Sequence, residues 1–296
     1  MKMHRLGNGA VVAFAAALAL VFGQAVTAQP QLPVSGHVRS ADGVEIAYVD
    51  QGDGPLAIVF IHGGLADRSF WAKQFVGLPA TYRLVALDLA GHGSSGRGRT
   101  VMSIAAWAGD VRAVVERLDL HRVVLVGNSL GGPVALEAAA LLKGRVIGVI
   151  GVDTLHDAHQ KMPKEVAHQQ AEAYRKDPAG ACRGMVAQLF HPGAEPELHA
   201  WVEKRACAMA PEIAVAMLES FGGYDVEPAF RNAGVPIRAI NGDLWPTLVE
   251  ANRKVAPDFD ATIMKGAGHY PMLERPAEFN RLLVRFVEAF ARPAAR

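Results

Sequence analysis

Residues 121–143 read HRVVLVGNSLGGPVALEAAALLK, and GNSLGG at the centre of this stretch constrains the fold more than any other feature of the chain. A run of strand formers ends at Gly127, and a helix rich in small residues follows from Leu130. Gly127-Asn128-Ser129-Leu130-Gly131 fits G-x-S-x-G in the strand-to-helix setting that gives the pattern its meaning. The turn is sharp, so it holds Ser129 in a strained backbone conformation. Glycines at 127 and 131 let strand and helix approach each other. The hydroxyl then projects above a sheet at a helix N-terminus, where the dipole favours developing negative charge.

Apolar runs of strand length recur along the chain. They cover 34–40, 44–50, 56–62, 82–88, 121–127, 146–153, 236–240 and 260–266, and the first two form a hairpin turned by Asp42-Gly43. The later runs are continuously apolar, which suits parallel strands covered on both faces. Helical patterns at 102–120, 130–143 and 276–292 fall between or after them, the last with Pro276 at a first-turn position. With 296 residues, 51% of them hydrophobic, the chain can bury such a sheet. The alternation predicts an α/β fold: a doubly wound, mostly parallel, eight-stranded sheet. Residues 155–228 break the rhythm. They hold helix formers with breaks at Pro163, Pro178, Pro192-Gly193, Pro211 and Gly222-Gly223, and no good strand. An all-helical insertion of about four short helices is expected there, dividing a core of 29–154 and 229–296. Because it follows a strand end, it should sit over the edge where functional loops gather.

Residues 1–28 stand apart. Lys2 and Arg5 precede an apolar stretch, and Val26-Thr27-Ala28 offers small residues at a cleavage site. This predicts a signal peptide cut after Ala28, an exported protein, and no stable membrane insertion after cleavage; an uncleaved anchor is the alternative. The formal charge is +1, with no long single-sign run, so nothing points to nucleic acid as a partner. Oligomeric state is not legible. Cys182 and Cys207 are the two cysteines. An oxidising compartment would permit a disulfide, and two buried free thiols are equally compatible with the sequence.

Four motifs, in order, now carry a resemblance. FIHGG resembles an oxyanion loop, LDLAGHGSSG the D-x-x-G-x-G-x-S turn, GNSLGG a nucleophile elbow, and GAGHYPMLERPAEFN a terminal histidine loop. The chain resembles the α/β-hydrolase superfamily over nearly all of its length beyond the leader, as a serine hydrolase with a helical cap. The resemblance implies Ser129 as nucleophile and His269 as general base. By the mechanics of the motif, the backbone N–H groups of Leu130 and Gly64 hold the oxyanion. His62, Asp88 and His92 read as scaffold.

A Ser–His pair needs a carboxylate to fix the imidazole tautomer and stabilise the imidazolium. Asp153 and Asp243 both end strands between Ser129 and His269. Many relatives carry G-D-x-D at the later place, with the second acid catalytic. Here Trp245 stands where that acid would be, so the family pattern favours Asp153, and Asp243 stays the alternative. Leu65, Asn128, Leu155, Trp245 and Tyr270 are expected around the substrate. Met162, Met185, Leu189, Phe190, Trp201, Met209, Met217, Leu218 and Phe221 are candidates either for an apolar acyl pocket or for packing of the insertion. His156, Asp157 and His159 match no usual metal spacing and read as solvated helix-end residues.

The implied activity is hydrolysis of a small-molecule carboxylic ester, with no metal or organic cofactor. Lactonase or carbon–carbon bond hydrolase chemistry on the same fold is the alternative, since GNSLGG is also similar to the elbow of meta-cleavage-product hydrolases. A ligand-binding receptor with a slow or vestigial triad is the alternative of another class.

Overall fold

The computed structural model describes residues 33–292, so the expected leader lies outside the described residues. Eight strands form one sheet: β1 (Val34–Arg39), β2 (Glu45–Gln51), β3 (Ala57–Ile61), β4 (Arg83–Leu87), β5 (Val123–Asn128), β6 (Val146–Val152), β7 (Ile237–Asn241) and β8 (Asp260–Ile263). Their spatial order is β1-β2-β4-β3-β5-β6-β7-β8. β2 pairs antiparallel with both β1 and β4, and every other pairing is parallel. Gly43 turns the opening hairpin at φ +85°, a conformation that glycine adopts without penalty. Every residue of β3 and β5 is buried, which is why their sequences are apolar without alternation.

Helices cover both faces. α2 (Ile104–Arg117) and α3 (Gly131–Leu141) pack together on one side. α1 (Ala72–Gly77), α10 (Pro271–Glu274) and α11 (Pro276–Ala291) pack on the other. Ser103 starts α2 by accepting a hydrogen bond from the Ala106 N–H at 3.1 Å. The chain leaves β3 toward β4 on one side and β5 toward β6 on the other. The strand order therefore reverses between β3 and β5, and the crevice at the carboxyl ends of those strands is the natural place for a ligand.

Between β6 and β7 the chain forms α4 (Lys164–Lys176), α5 (Pro178–Ala187), α6 (Pro196–Ala206), α7 (Pro211–Phe221) and α8 (Glu227–Asn232). Pro178 and Pro211, read in sequence as breaks, are first residues of helices, as is Pro196. At that position the missing N–H has no helical partner to lose. α4 to α7 pack on one another, whereas α8 straddles residue 228 and packs on α3, in the core layer. Cys182 of α5 and Cys207 beyond α6 form a disulfide with Cα atoms 5.6 Å apart, which settles the two readings the sequence left open. The helices lie on the carboxyl edge of the sheet. A Cβ placed on Gly64, after β3, would fall 1.9 Å from Met217 Sδ of α7. The carbonyl of Leu189, after α5, accepts the His269 N–H at 2.8 Å. α9 (Val249–Val255) links β7 to β8. No helix among the described residues is long and apolar enough to cross a membrane.

Candidate active site

The turn after β5 is built by exclusion of side chains. A Cβ on Gly127 would lie 2.0 Å from the Gly131 carbonyl oxygen, and one on Gly131 would lie 2.5 Å from that of Ile61. Only glycine fits either place. Between them Ser129 takes φ +52°, a costly conformation for a residue with a side chain. Its backbone is over-determined. The Ser129 N–H donates to Val152 O at 3.1 Å, and its carbonyl accepts from the Gly132 N–H and the Thr154 hydroxyl, both at 2.9 Å.

Asp153 is the residue after β6, and it too is left-handed, at φ +44°. Its N–H donates to Ile240 O at 3.1 Å, which ends the strand on β7. Its side chain is buried. Oδ1 accepts the Gly242 N–H at 2.9 Å, and Oδ2 lies 2.5 Å from His269 Nδ1. The structure therefore brings Asp153, and not Asp243, to the histidine. Asp243 lies nearer the surface, where its Oδ1 accepts the Gly266 N–H at 3.0 Å and pairs with His191 Nε2 at 2.6 Å. The Gly266 N–H, and after it His191, hold its carboxyl below the usual range.

His269 arrives on the loop after β8 and is fixed at both backbone atoms. Its N–H bonds Leu189 O, and its carbonyl accepts from Asn128 Nδ2 at 3.1 Å. With Nδ1 on Asp153, Nε2 is the nitrogen left for chemistry. His269 and Ser129 line one cavity of about 750 Å³. No Ser129 Oγ–His269 hydrogen bond is formed among the described residues; such bonds commonly tighten only around a substrate. The Trp245 indole stands edge-on to the His269 ring, with centroids 5.7 Å apart.

The loop after β3 covers the elbow closely. A Cβ on Gly63 would lie 3.1 Å from Ser129 Cβ. The N–H groups of Gly64 and Leu130 donate to nothing among the described residues, so both are available to an incoming oxygen. His62 sets the loop. Its Nδ1 donates to Gly63 O at 2.7 Å, and its Nε2 accepts the Leu89 N–H at 3.0 Å. Because the peptide is planar and trans, turning the Gly63 carbonyl toward His62 turns the Gly64 N–H the opposite way. Both bonds need a neutral ring, and burial pushes the His62 pKa down to about 4. His92 packs 5.0 Å from it and is pushed by burial to about 3. Asp88 is a hub for this region, accepting the Arg68 and Ser94 N–H groups at 2.8 Å each and pairing with the Arg68 guanidinium.

Of the side chains expected around a substrate, Leu155 and Trp245 line the cavity. Leu65, Asn128 and Tyr270 do not. Leu65 is buried at φ +55°, and Tyr270 packs between Phe70 and Phe190. Asn128 is fully buried and works as a tie, its Nδ2 reaching both Val152 O at 2.9 Å and His269 O. Met162 and Phe221 of the insertion reach the cavity, while Trp201 packs on Phe70 at 4.9 Å.

His156 corrects the sequence reading. It is no solvated helix-end residue but lines the cavity, with Nε2 buried and 3.8 Å from Asp153 Oδ1. Burial lowers its pKa. His159 faces elsewhere, onto Glu227 at 3.2 Å. The available signal for His156 was its place three residues after a strand-end aspartate.

Known proteins resemble this chain in sequence and fold. A solved structure of an N-acyl homoserine lactone degrading enzyme is 27% identical, superposes with a TM-score of 0.71, and matches 85% of this chain and 100% of that one. A thermophilic esterase from Thermogutta terrifontis is 25% identical with a TM-score of 0.75, over 88% of this chain and 99% of that one. An uncharacterized protein of Mycobacterium tuberculosis is 37% identical over 107 residues, 36% of this chain and 31% of that protein. The chain thus spans about a third of the length of the first curated relatives it matches. The sequence profile of the alpha/beta hydrolase family matches residues 58–282. With its sheet order, its strained elbow at Ser129 and that match over most of its length, the chain belongs to the α/β hydrolase family.

Proposed function

We propose that this hydrolase is an exported, serine-dependent carboxylic-ester hydrolase that works through an acyl-enzyme on Ser129. The observation that carries the reading is the buried Asp153–His269 pair, 2.5 Å apart, sharing a cavity with a serine held at φ +52°. His269 Nε2 takes the Ser129 proton as Oγ attacks the ester carbonyl. The N–H groups of Gly64 and Leu130 receive the oxyanion, each worth a few kcal/mol of barrier in comparable sites. His269 then protonates the departing alcohol, and a water molecule, activated by the same imidazole, releases the acid. Asp153 holds the ring by Nδ1 and orients it for both proton transfers. The small-molecule substrate enters between the sheet edge and the insertion, which acts as a cap.

Lactone hydrolysis is the second reading. A lactone is a cyclic ester that the same groups can open, and the similarity to a lactone-degrading enzyme favours it. The Cys182–Cys207 disulfide supports export, because such bonds persist in oxidising compartments. The test is a panel of p-nitrophenyl esters of graded acyl length and simple lactones, with Ser129→Ala as control. Repeated turnover abolished by that substitution is the expected result. Release that stops near one equivalent would indicate a receptor, and no hydrolysis of any member would sink the proposal.

A further inference from the structure

The cavity above Ser129 has carboxylates on its wall, with His156 and His269 both turned to one of them, Asp153. Its lining holds two carboxylates, Asp153 and Asp157, and no lysine or arginine. Asp153 is committed to His269 and to the Gly242 N–H. Asp157 lies on the segment that leads from β6 toward α4. Its side chain accepts the His159 N–H at 2.9 Å and has no cationic partner among the described residues. Apart from Lys164, which lies against Gly223 and has no ion pair among the described residues, the basic side chains next to the lining residues in sequence are occupied. Lys161 pairs with Asp225 at 2.6 Å, and His159 with Glu227 at 3.2 Å.

Aromatic walls accompany this carboxylate. Phe221, Tyr224 and Trp245 all line the cavity. The Tyr224 hydroxyl is occupied, since it donates to Glu137 Oε1 of α3 at 3.0 Å. Ring faces attract cations, more strongly where water is partly excluded. A cleft with one sign of charge and low-dielectric walls also concentrates ligands of the opposite sign and repels those of its own.

We propose, building on the ester-hydrolase reading above, that the cavity selects its substrate by charge. It takes esters or lactones whose non-reacting part carries a positive charge in preference to neutral ones, and rejects those that carry a carboxylate. Asp157 is the selecting residue. It does not touch the reacting atoms; its effect is on the rest of the substrate.

Three p-nitrophenyl esters of equal chain length test this, ending in a trimethylammonium, a methyl or a carboxylate group. The expected order of kcat/KM is ammonium, then methyl, then carboxylate, with the ends separated by tenfold or more, roughly the effect of one partly screened charge. The spread should shrink as salt is raised. Asp157→Asn keeps an oxygen for the His159 N–H and should compress the spread to about threefold or less, an order-of-magnitude expectation for losing that charge. Asp157→Lys should invert it. Because each ratio is taken within one protein, partial misfolding of a variant cancels. Equal or better hydrolysis of the carboxylate ester by the native enzyme overturns the proposal, as does a spread that Asp157→Asn leaves unchanged.

Calorimetric binding of the same three esters to Ser129→Ala separates this proposal from the reading beneath it. If the native enzyme turns over none of them while Ser129→Ala binds them in the expected order, the hydrolase reading falls and charge selection stands. Binding without that order overturns charge selection.

Discussion

Asp153 and Asp243 are both strand-end aspartates, and their surroundings assign them opposite work. Asp153 is 2% exposed, left-handed, and shared between the His269 ring and a backbone N–H. Asp243 caps Gly266 and pairs with a surface histidine. Asp153→Asn should lower kcat by about 10⁴-fold, because the amide favours the wrong imidazole tautomer, with the circular dichroism spectrum unchanged. Asp243→Asn should lower the thermal midpoint and leave kcat within a small factor. Steady-state kinetics and melting curves on the two variants decide it, and the reverse pattern would refute the assignment. The substitution of Trp245 for an expected acid was what pointed to Asp153 in sequence. His156 was hidden, because lining a cavity depends on how the chain folds back, and no local pattern records that.

Among elements, the sheet was legible because continuous apolar runs have one economical burial. Ends were less so: the run 146–153 stops at Val152, because Asp153 steps into the left-handed region to present its carboxylate. The run 260–266 keeps only Asp260–Ile263, and Gly266 turns at φ +73° toward the histidine loop. The helices of the insertion were visible as a group, but their mutual packing was not, since it brings together distant stretches such as α4 and α7, and sequence separation does not tell whether Cys182 and Cys207 pair. Closing a loop of 25 residues restricts the unfolded chain by about 3 kcal/mol. Replacing both cysteines by serine should therefore lower the unfolding free energy by roughly that amount, read from urea denaturation. The oxyanion loop gives an element-scale pH dependence. His62 and His92 stay neutral when folded, with pKa values near 4 and 3, whereas in the unfolded chain they titrate near 6.5. As pH falls below about 6.5, the unfolded state takes up protons that the folded state refuses. Stability should then drop by about 1.4 kcal/mol per pH unit for each ring until the folded pKa is reached. Urea midpoints at neutral pH and near pH 5 check this, and His62→Gln should remove part of the slope.

At the scale of the whole molecule, the proposed export would account for both the expected leader and the disulfide. A chain made with its first 28 residues and exported should begin at Gln29, which mass spectrometry of the exported protein would show. An intact N-terminus on membrane-bound protein would favour an anchor instead. The proposed reacting groups come from widely separated stretches: Ser129 after β5, Asp153 after β6 and His269 after β8. The long helical stretch lies between the last two.

That stretch grips the chemistry at two points, Leu189 O on the His269 N–H and Met217 against Gly64. Under the proposed function, substrate range and catalytic rate should therefore not be separately heritable in this protein. A chimera that received a relative's insertion to acquire new substrates would also receive new supports for its base and its oxyanion loop. Grafts that retain the turn at Leu189 and the residue facing Gly64 should keep their turnover, and grafts that discard them should need a second round of repair in the core.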